Sequence, residues 1–395
     1  MSPDVLFVLP HLGPGGAQRV VSIVSAHLIA DGRHVAVLTL LPRKIAHKLH
    51  EDVLWLQPPA ILRLSIAVGG ELRGVAVRVL PDSIRHRLSR WWAHRSVGSG
   101  GTPNPGSLPW TDRLRVGLIA GTIRRIDPAV VMSLLTKANI LTLLATTDMQ
   151  TRVVISERNR LARPEPARIR RLRASLYPKC PRVTANAPII VEELQQELGV
   201  AHARLLPNVI RQGPEEGTRP DREHLISVVA RLVPQKRVDL ALEAFVSIHE
   251  TDQRWRLQVI GDGPESRRLQ QLAASLFPPG ACSFAGHLRD PQPALERSRI
   301  LILPSAFEGT SNALLEAMAC GVVPLVSEEA DPREELVVEG KTGRRFGPKS
   351  GGISTQLLRL VSHDNLAHLA GRARRKAEQF TWEHQRATWN AHLFG

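Results

Sequence analysis

Residues 300–326 constrain the chain more than any other stretch. Ile300-Leu301-Ile302-Leu303 is short and purely aliphatic, the pattern of a parallel strand buried on both faces. Val322-Val323-Pro324-Leu325-Val326 reads as the next strand. Between them runs Pro304-Ser305-Ala306-Phe307-Glu308-Gly309-Thr310, a loop of small residues, then about two turns of helix that Gly321 stops. Ser311 or Asn312 fits its N-cap. A strand, a small-residue loop and a helix N-terminus together form an anion site, because outward-pointing backbone N–H groups and the helix dipole both favour negative charge. Glu308 in the loop and Glu316 in the helix frame that site. Neither faces a phosphate without repulsion, so each suits hydroxyl donors, and a phosphate cradle beside hydroxyl acceptors suits a nucleotide sugar. Taken alone, Glu316 equally fits an ordinary early-helix glutamate favoured by the dipole.

The same strand–turn–helix unit recurs along the 395 residues, enough chain for two domains with separate cores. Val5-Leu6-Phe7-Val8-Leu9 reads as the first strand, followed by a turn holding Gly13, Gly15 and Gly16 and a helix over residues 20–30. The spacing is not G-x-G-x-x-G, since Gln18 stands where the third glycine belongs, and no acidic residue follows the next strand (35–40) at the expected distance. Both departures speak against a nicotinamide enzyme. Gly15 and Gly16 fit a ligand's close approach to the backbone, or simply a tight turn. A helix is expected over 112–125, a strand over 130–133 leading to Thr136, Lys137 and Asn139, and another at 153–155 with the polar end Ser156-Glu157-Arg158-Asn159. Residues 212–224, polar and rich in Gly and Pro, read as the interdomain linker. Beyond it, a strand over 225–230 ends at Arg231 and Lys236, ahead of a helix that runs through Phe245. Cations at a strand's carboxyl end suit phosphate neutralisation, or are merely solvated. Strand and glycine turn repeat at Gly261 and Gly286. Ligands of such sheets sit beyond the strands' carboxyl ends, where all these turns fall.

Glu308, seven intervening residues and Glu316, in the context EGTSNALLEAMACGVVPLVS, resemble the paired-Glu motif of retaining GT-B glycosyltransferases, specifically glycosyltransferase family 4. The resemblance implies an α/β chain of GT-B type, with two Rossmann-like parallel-sheet domains facing across a cleft. An acceptor-binding domain is then expected over 1–210, with a basic amphipathic insertion at about 69–110, a nucleotide-sugar-binding domain over 211–378, and a C-terminal helix in 379–395 returning to the first domain. It implies a retaining, metal-independent transfer of hexosyltransferase type from a nucleotide-diphosphate sugar. Glu308 then meets the sugar's hydroxyls, Glu316 the ribose hydroxyls, and the backbone of Thr310, Ser311, Asn312 and Ala313 the diphosphate. Arg231 and Lys236 match the family's diphosphate-binding pair, and with Glu308 form the expected catalytic set. Gly15 and Gly16 resemble the family's N-terminal loop; Gly261, His287 and Leu288 complete the donor contacts, the last two beside the nucleobase. Many members carry a His near the strand end at 133–139. None occurs here between His94 and His202, so Thr136, Lys137 or Asn139 covers that position. Ser156-Glu157-Arg158-Asn159 resembles a segment of members that extend lipid-linked or surface saccharides, with Arg160 where Asp is usual; Glu157 and Arg158 join the acceptor candidates. Gly340-Lys341-Thr342-Gly343 resembles the family's G-x-T-G turn and is not a P-loop.

No Asp-x-Asp pair occurs, so neither a metal nor another cofactor is expected beside the donor. The formal net charge of +15 fits an anionic partner or a solvated basic surface. A single Tyr and no recognisable RNA- or DNA-binding signature speak against nucleic acid. Pro81-Asp82-Ser83 starts a helix with Ile84, Leu88, Trp91 and Trp92 on one stripe and Arg85, Arg87, Arg90 and Arg95 beside it, the pattern of a helix in an anionic membrane interface; packing on the core is the alternative. The start lacks a signal peptide's basic region, the apolar segment 129–145 is broken by Lys137 and Asn139, and Cys180, Cys282 and Cys320 form no C-x-x-C pair. With these features the chain is expected in the cytoplasm, peripheral on the inner membrane face, and the resemblance implies a saccharide or lipid-linked acceptor. A nucleotide-sugar epimerase or hydrolase of the same fold, or a non-catalytic membrane-associated binding protein, are the alternatives.

Overall fold

The computed structural model describes residues 2–41, 45–58, 108–215, 222–362 and 366–395. The Leu/Trp stripe with its arginines at 84–95 lies outside them, as do nearly all of the segment 69–110 and residues 216–221 of the expected linker. Contacts divide the chain into two units, Met1–Pro207 with Ala387–Gly395, and Asn208–Arg386.

In the first unit strands and helices alternate: β1 (Val5–Leu9), α1 (Gly16–Ala30), β2 (Val35–Thr39), β3 (Leu54–Leu56), α2 (Trp110–Ile126), β4 (Val130–Leu134), α3 (Thr136–Ala145), β5 (Arg152–Glu157), α4 (Ala167–Leu176), β6 (Val183–Ala185), α5 (Pro188–Leu198) and β7 (Arg204–Leu205). The strands pair in the order β3-β2-β1-β4-β5-β6-β7, every pair parallel. β1, β2 and β4 are buried at every position, since the crossover helices of a parallel sheet cover both faces. The first helix starts at Gly16, four residues ahead of the expected 20. Gln18 is buried there, its amide 3.5 Å from Nδ1 of His11, where the dinucleotide pattern would need a glycine.

The second unit repeats the scheme with β8 (Leu225–Val229), α6 (Val238–Thr251), β9 (Arg256–Ile260), α7 (Ser266–Leu276), β10 (Cys282–Gly286), α8 (Gln292–Arg297), β11 (Ile300–Leu303), α9 (Asn312–Ala319), β12 (Val323–Ser327), β13 (Arg344–Phe346), α10 (Ile353–Val361), α11 (Leu366–Glu378) and α12 (Trp382–Leu393). Its order is β10-β9-β8-β11-β12-β13, again all parallel. β11 shows why an unbroken aliphatic run is needed. Ile300 and Ile302 pack with Phe245, Leu242 and Leu357 on one side of the sheet, while Leu301 and Leu303 pack with Leu314, Met318 and Ala373 on the other. Truncating such a residue to Ala removes contacts worth about 2–5 kcal/mol. Helix α12 begins in the second unit and passes into the first at Ala387, where Trp389 is fully buried and donates to the Pro207 carbonyl at 3.1 Å.

Each sheet starts from an interior strand, winds outward one way, then returns and winds the other. Winding therefore reverses between β1 and β4 in one unit, and between β8 and β11 in the other. At such a reversal the connecting helices diverge to opposite faces, and a crevice opens beyond the carboxyl ends of the two strands. The loops there pack closely in the second unit. Gly261 has φ 145°, and a Cβ on it would fall on the Ala230 carbonyl oxygen; its N–H donates to Gly286 O at 2.8 Å, and Ala230 N–H donates to Ile260 O at 3.0 Å. A side chain at 261 must push the β8 and β9 ends apart. Gly261→Ala is expected to lower stability by about 2 kcal/mol or more, read as a lower urea midpoint; an unchanged midpoint contradicts the close packing.

Candidate active site

The reversal point of the second sheet is built by two connections, the one leaving β8 and the one leaving β11. After β8 the chain forms a single 3-10 turn, Pro234–Lys236, and Arg237 takes a left-handed conformation, φ 44° and ψ 43°, to start α6. This turn is laced to the β11 loop. Ala306 N–H donates to Gln235 O at 2.9 Å, and the Gln235 amide donates to Phe307 O at 2.8 Å. Arg237 donates to the carbonyls of Pro304 at 2.8 Å and Ser305 at 3.0 Å and pairs with Glu329. Between these ties the ammonium of Lys236 contacts Oε1 of Glu308, both side chains only 13% and 12% exposed. A cation and a carboxylate from the connections that leave two different strands thus meet at one point of the crevice.

Past Glu308, Ser311 caps α9: its hydroxyl accepts from Leu314 N–H at 3.4 Å, and Asn312 is the first helical residue. No acidic side chain occupies that first turn, so the dipole's positive end is not offset from within the helix. Asn208 steadies the turn, donating to Thr310 O at 3.0 Å and to Asn312 Oδ1 at 2.6 Å. Thr310, Ser311, Asn312 and Ala313 are half-buried, and Glu316 is buried in the body of the helix at 8% exposure. Arg231 is exposed at the end of β8, where the next residue, Leu232, donates to Asp262 O at 2.9 Å. His287 is exposed and Leu288 half-buried just after β10. Gly261 belongs to the backing of this crevice, pressed against Ala230.

Gly15 and Gly16 lie in the first unit at the head of α1. The acceptor candidates gather around the reversal point of that unit's sheet, where Leu135 holds φ 79° and ψ 140° between β4 and α3. A leucine in that region is strained by about 1–3 kcal/mol, and a buried polar network fixes it. Leu135 N–H donates to Ser156 O at 3.1 Å; Asn139, fully buried, donates to Ser156 O and to Tyr177 OH, each at 3.0 Å, and accepts from Ser133 at 2.8 Å. Glu157, also fully buried, accepts from Thr136 at 3.0 Å, Tyr177 at 2.9 Å and the Arg158 N–H at 2.9 Å. Burial pushes its carboxyl above the ordinary range, against the pull of Arg173 and of these donors. Burial likewise draws the Arg158 guanidinium down to about 9, opposed by Glu157; it lies over the Trp389 ring, 5.7 Å from the centroid. Lys137 alone of the five is exposed, with its ammonium 2.9 Å from Asp112. Asn139 and Glu157 therefore act on the surface through Leu135, Thr136 and the half-buried Asn159, whose N–H donates to Glu157 at 3.2 Å.

Solved structures and known sequences place these features. Over 99% of both chains the fold matches the crystal structure of TarM, with a TM-score of 0.71 at 10% identity. It likewise matches Anabaena HepE in complex with UDP, with a TM-score of 0.69 at 15% identity over 98% of this chain and 99% of that one. Residues 210–378 match the family model of the glycosyl transferases group 1. The fold is GT-B. Among curated proteins, the putative colanic acid biosynthesis glycosyltransferase WcaL of Escherichia coli is 30% identical over 190 residues, 45% of this chain and 47% of WcaL. N-acetyl-alpha-D-glucosaminyl L-malate synthase of Bacillus anthracis is 29% identical over 41% of this chain and 43% of that protein. The match thus spans less than half the length of each of these two relatives. Among the described residues no helix is long and apolar enough to cross a membrane.

Within this GT-B framework several groups escaped the sequence reading. Arg237 and Gln235 stand in the run Arg-Leu-Val-Pro-Gln-Lys-Arg, but nothing in that run says that their side chains bind carbonyls more than sixty positions away. Asn208 and Asp112 had local signals, an Asn after Leu-Leu-Pro and an acidic first-turn residue, without any cue to their partners. Burial pushes the three thiols away from ionisation, Cys180 up to about 11 and Cys282 and Cys320 to about 12.

Glu157 carries a pH signature. Its folded state holds a proton more tightly than the unfolded chain does, so its contribution to stability is greatest below 4.5, the ordinary value, and is lost as pH rises through the raised one. The unfolding free energy of the parent minus that of Glu157→Gln is expected to fall from pH 4.5 upward in urea titrations; a difference that is flat or rises with pH contradicts the assignment.

Proposed function

We propose that this chain is a retaining glycosyltransferase that moves a sugar from a nucleotide-diphosphate sugar to a saccharide or lipid-linked acceptor. The observation that carries the reading is the contact of Lys236 with Glu308 at the sheet's reversal point. In a glycosyl diphosphate the bond that breaks joins the anomeric carbon to a phosphate oxygen. A site for it needs a cation for the phosphate within one bond's reach of an acceptor for the sugar hydroxyls. Lys236 and Glu308 supply that pair, and the N-terminus of α9 stands directly after Glu308.

In this reading Glu308 accepts hydrogen bonds from the sugar and Glu316 from the ribose. Charge grows on the diphosphate as it leaves, so groups aimed at it accelerate the step: Lys236, Arg231 and the amides of Ser311, Asn312 and Ala313. The departing phosphate oxygen takes the proton of the acceptor hydroxyl, and the sugar's configuration is retained, as the paired-Glu resemblance implies. Fixed cations make a metal unnecessary. Gly15 and Gly16 approach the donor with backbone alone, and Thr136 and Lys137 face the acceptor. Glycan or glycolipid synthesis at an anionic membrane surface is supported by the net charge of +15 and by Arg168, Arg170 and Arg171 on α4.

Glu316→Ala is expected to weaken donor binding by about 1.5–3 kcal/mol, roughly ten- to a hundred-fold in Kd. Lys236→Ala is expected to lower kcat more than it raises KM, because its charge matters most as the bond breaks. Donor consumption and sugar transfer, each followed with and without acceptor, check both; parental kinetics in both variants sink the site, and consumption that never needs acceptor points to a hydrolase or epimerase. Turnover is expected to survive EDTA. Loss of activity that magnesium restores contradicts the metal-free step.

A further inference from the structure

A cavity of about 420 Å³ opens in the first unit between the heads of α3 and α4, lined by Thr136, Lys137, Glu165, Pro166, Arg168 and Ile169. Its charge is out of balance. Asp112, with a side chain only 3% exposed, would be neutralised by one cation, yet three converge on it. Arg115 reaches Oδ1 at 2.5 Å, Lys137 the same oxygen at 2.9 Å, and Arg168 reaches Oδ2 at 3.3 Å. The other carboxylate of the lining, Glu165, is already matched by the buried Arg173 at 3.0 Å. Arg173 also faces the buried Glu157 behind Thr136, so the charge left open to the cavity is that of Lys137 and Arg168, whose side chains are 51% and 35% exposed and share Asp112 with Arg115. Like charges gathered on one carboxylate repel each other, and an anion on their open side removes that cost.

Two more features act in the same direction. α3 begins at Thr136 and α4 at Ala167, both ten residues long and neither with an acidic residue in its first turn, so the positive ends of two dipoles add to the cationic pair. Ile169 and Pro166 give the lining an apolar part, and the volume far exceeds what a phosphoryl group fills. We propose that this cavity is a binding site for a phosphoryl group carried on the acceptor, held by Lys137 and Arg168, with Asp112 as the positioning residue that keeps both cations aimed into it. That the group belongs to an acceptor rests on the transfer reading; that the cavity takes a phosphoryl group does not.

The test is calorimetric titration of the full chain at constant ionic strength with inorganic phosphate, glucose 1-phosphate and farnesyl diphosphate, against Lys137→Glu, Arg168→Glu and Lys236→Ala. Arg115 still pairs with Asp112 in either cavity variant, and far-UV circular dichroism with a thermal melt checks that each keeps the fold. At least one probe is expected to bind with a Kd that either cavity variant weakens about tenfold or more, while Lys236→Ala leaves it unchanged. Preference for glucose 1-phosphate marks a soluble phosphosugar acceptor, preference for farnesyl diphosphate a lipid phosphate, and equal binding a site for the phosphoryl group alone. Binding that Lys236→Ala abolishes and the cavity variants spare overturns the proposal, as does binding that sodium chloride of equal ionic strength reproduces. Thermal stabilisation by nucleotide sugars is read in parallel, so that loss of the cavity site and loss of the transferase reading are told apart.

Discussion

The contact between Lys236 and Glu308 is the constraint on which the chemistry proposed for the second unit depends. Neither group reaches the other unless the connections leaving β8 and β11 are held side by side, and a parallel sheet brings those two strands together only where its winding reverses. The sheet alone does not fix the loops. Gln235 and Arg237 do so, binding the backbone of residues 304–307, while Gly261 and Gly263 let the β9 end press against Ala230 and Leu232 with no side chain between. Stiff surroundings matter because a preorganised charge stabilises a leaving group only if it need not move during the reaction.

The first unit uses buried polar groups for the same end. Glu157, Asn139 and Tyr177 are fully buried, and their effect at the surface is to hold Leu135 in a costly conformation and Thr136 at the head of α3. Asp112 has the same effect in the neighbouring layer, where it holds Lys137 and Arg168. In both places a carboxylate removed from water decides where groups at the surface point, because the low dielectric makes each of its bonds strong and each unmade bond expensive.

Much of the fold was legible because parallel strands covered on both faces must be largely apolar: β1 and β11 are unbroken apolar runs, and β2 and β12 are interrupted only by Thr39 and by Pro324 and Ser327. Strand–turn–helix repetition pointed to two α/β domains, and the GT-B layout was implied by the resemblance of the Glu308–Glu316 context to a known family. Side-chain partners were not legible. Lys236 and Glu308 lie 72 positions apart, and neither periodicity nor composition joins them. Asn139 and Glu157 read as acceptor candidates at polar strand ends, whereas the structure buries both: Asn139 donates to Tyr177, and Tyr177 to Glu157, in place of water. Expected ends were least secure where a helix starts without a side-chain cap, as α1 does at Gly16 and α2 at Trp110.

Amide hydrogen–deuterium exchange of the full chain, with UDP, GDP and ADP added in turn, tests most directly whether the β8 and β11 connections form one nucleotide-diphosphate site. At least one of the three is expected to slow exchange in both segments together, residues 231–237 and 305–315. A nucleotide that binds yet protects neither segment, or the failure of all three to bind, would contradict the account.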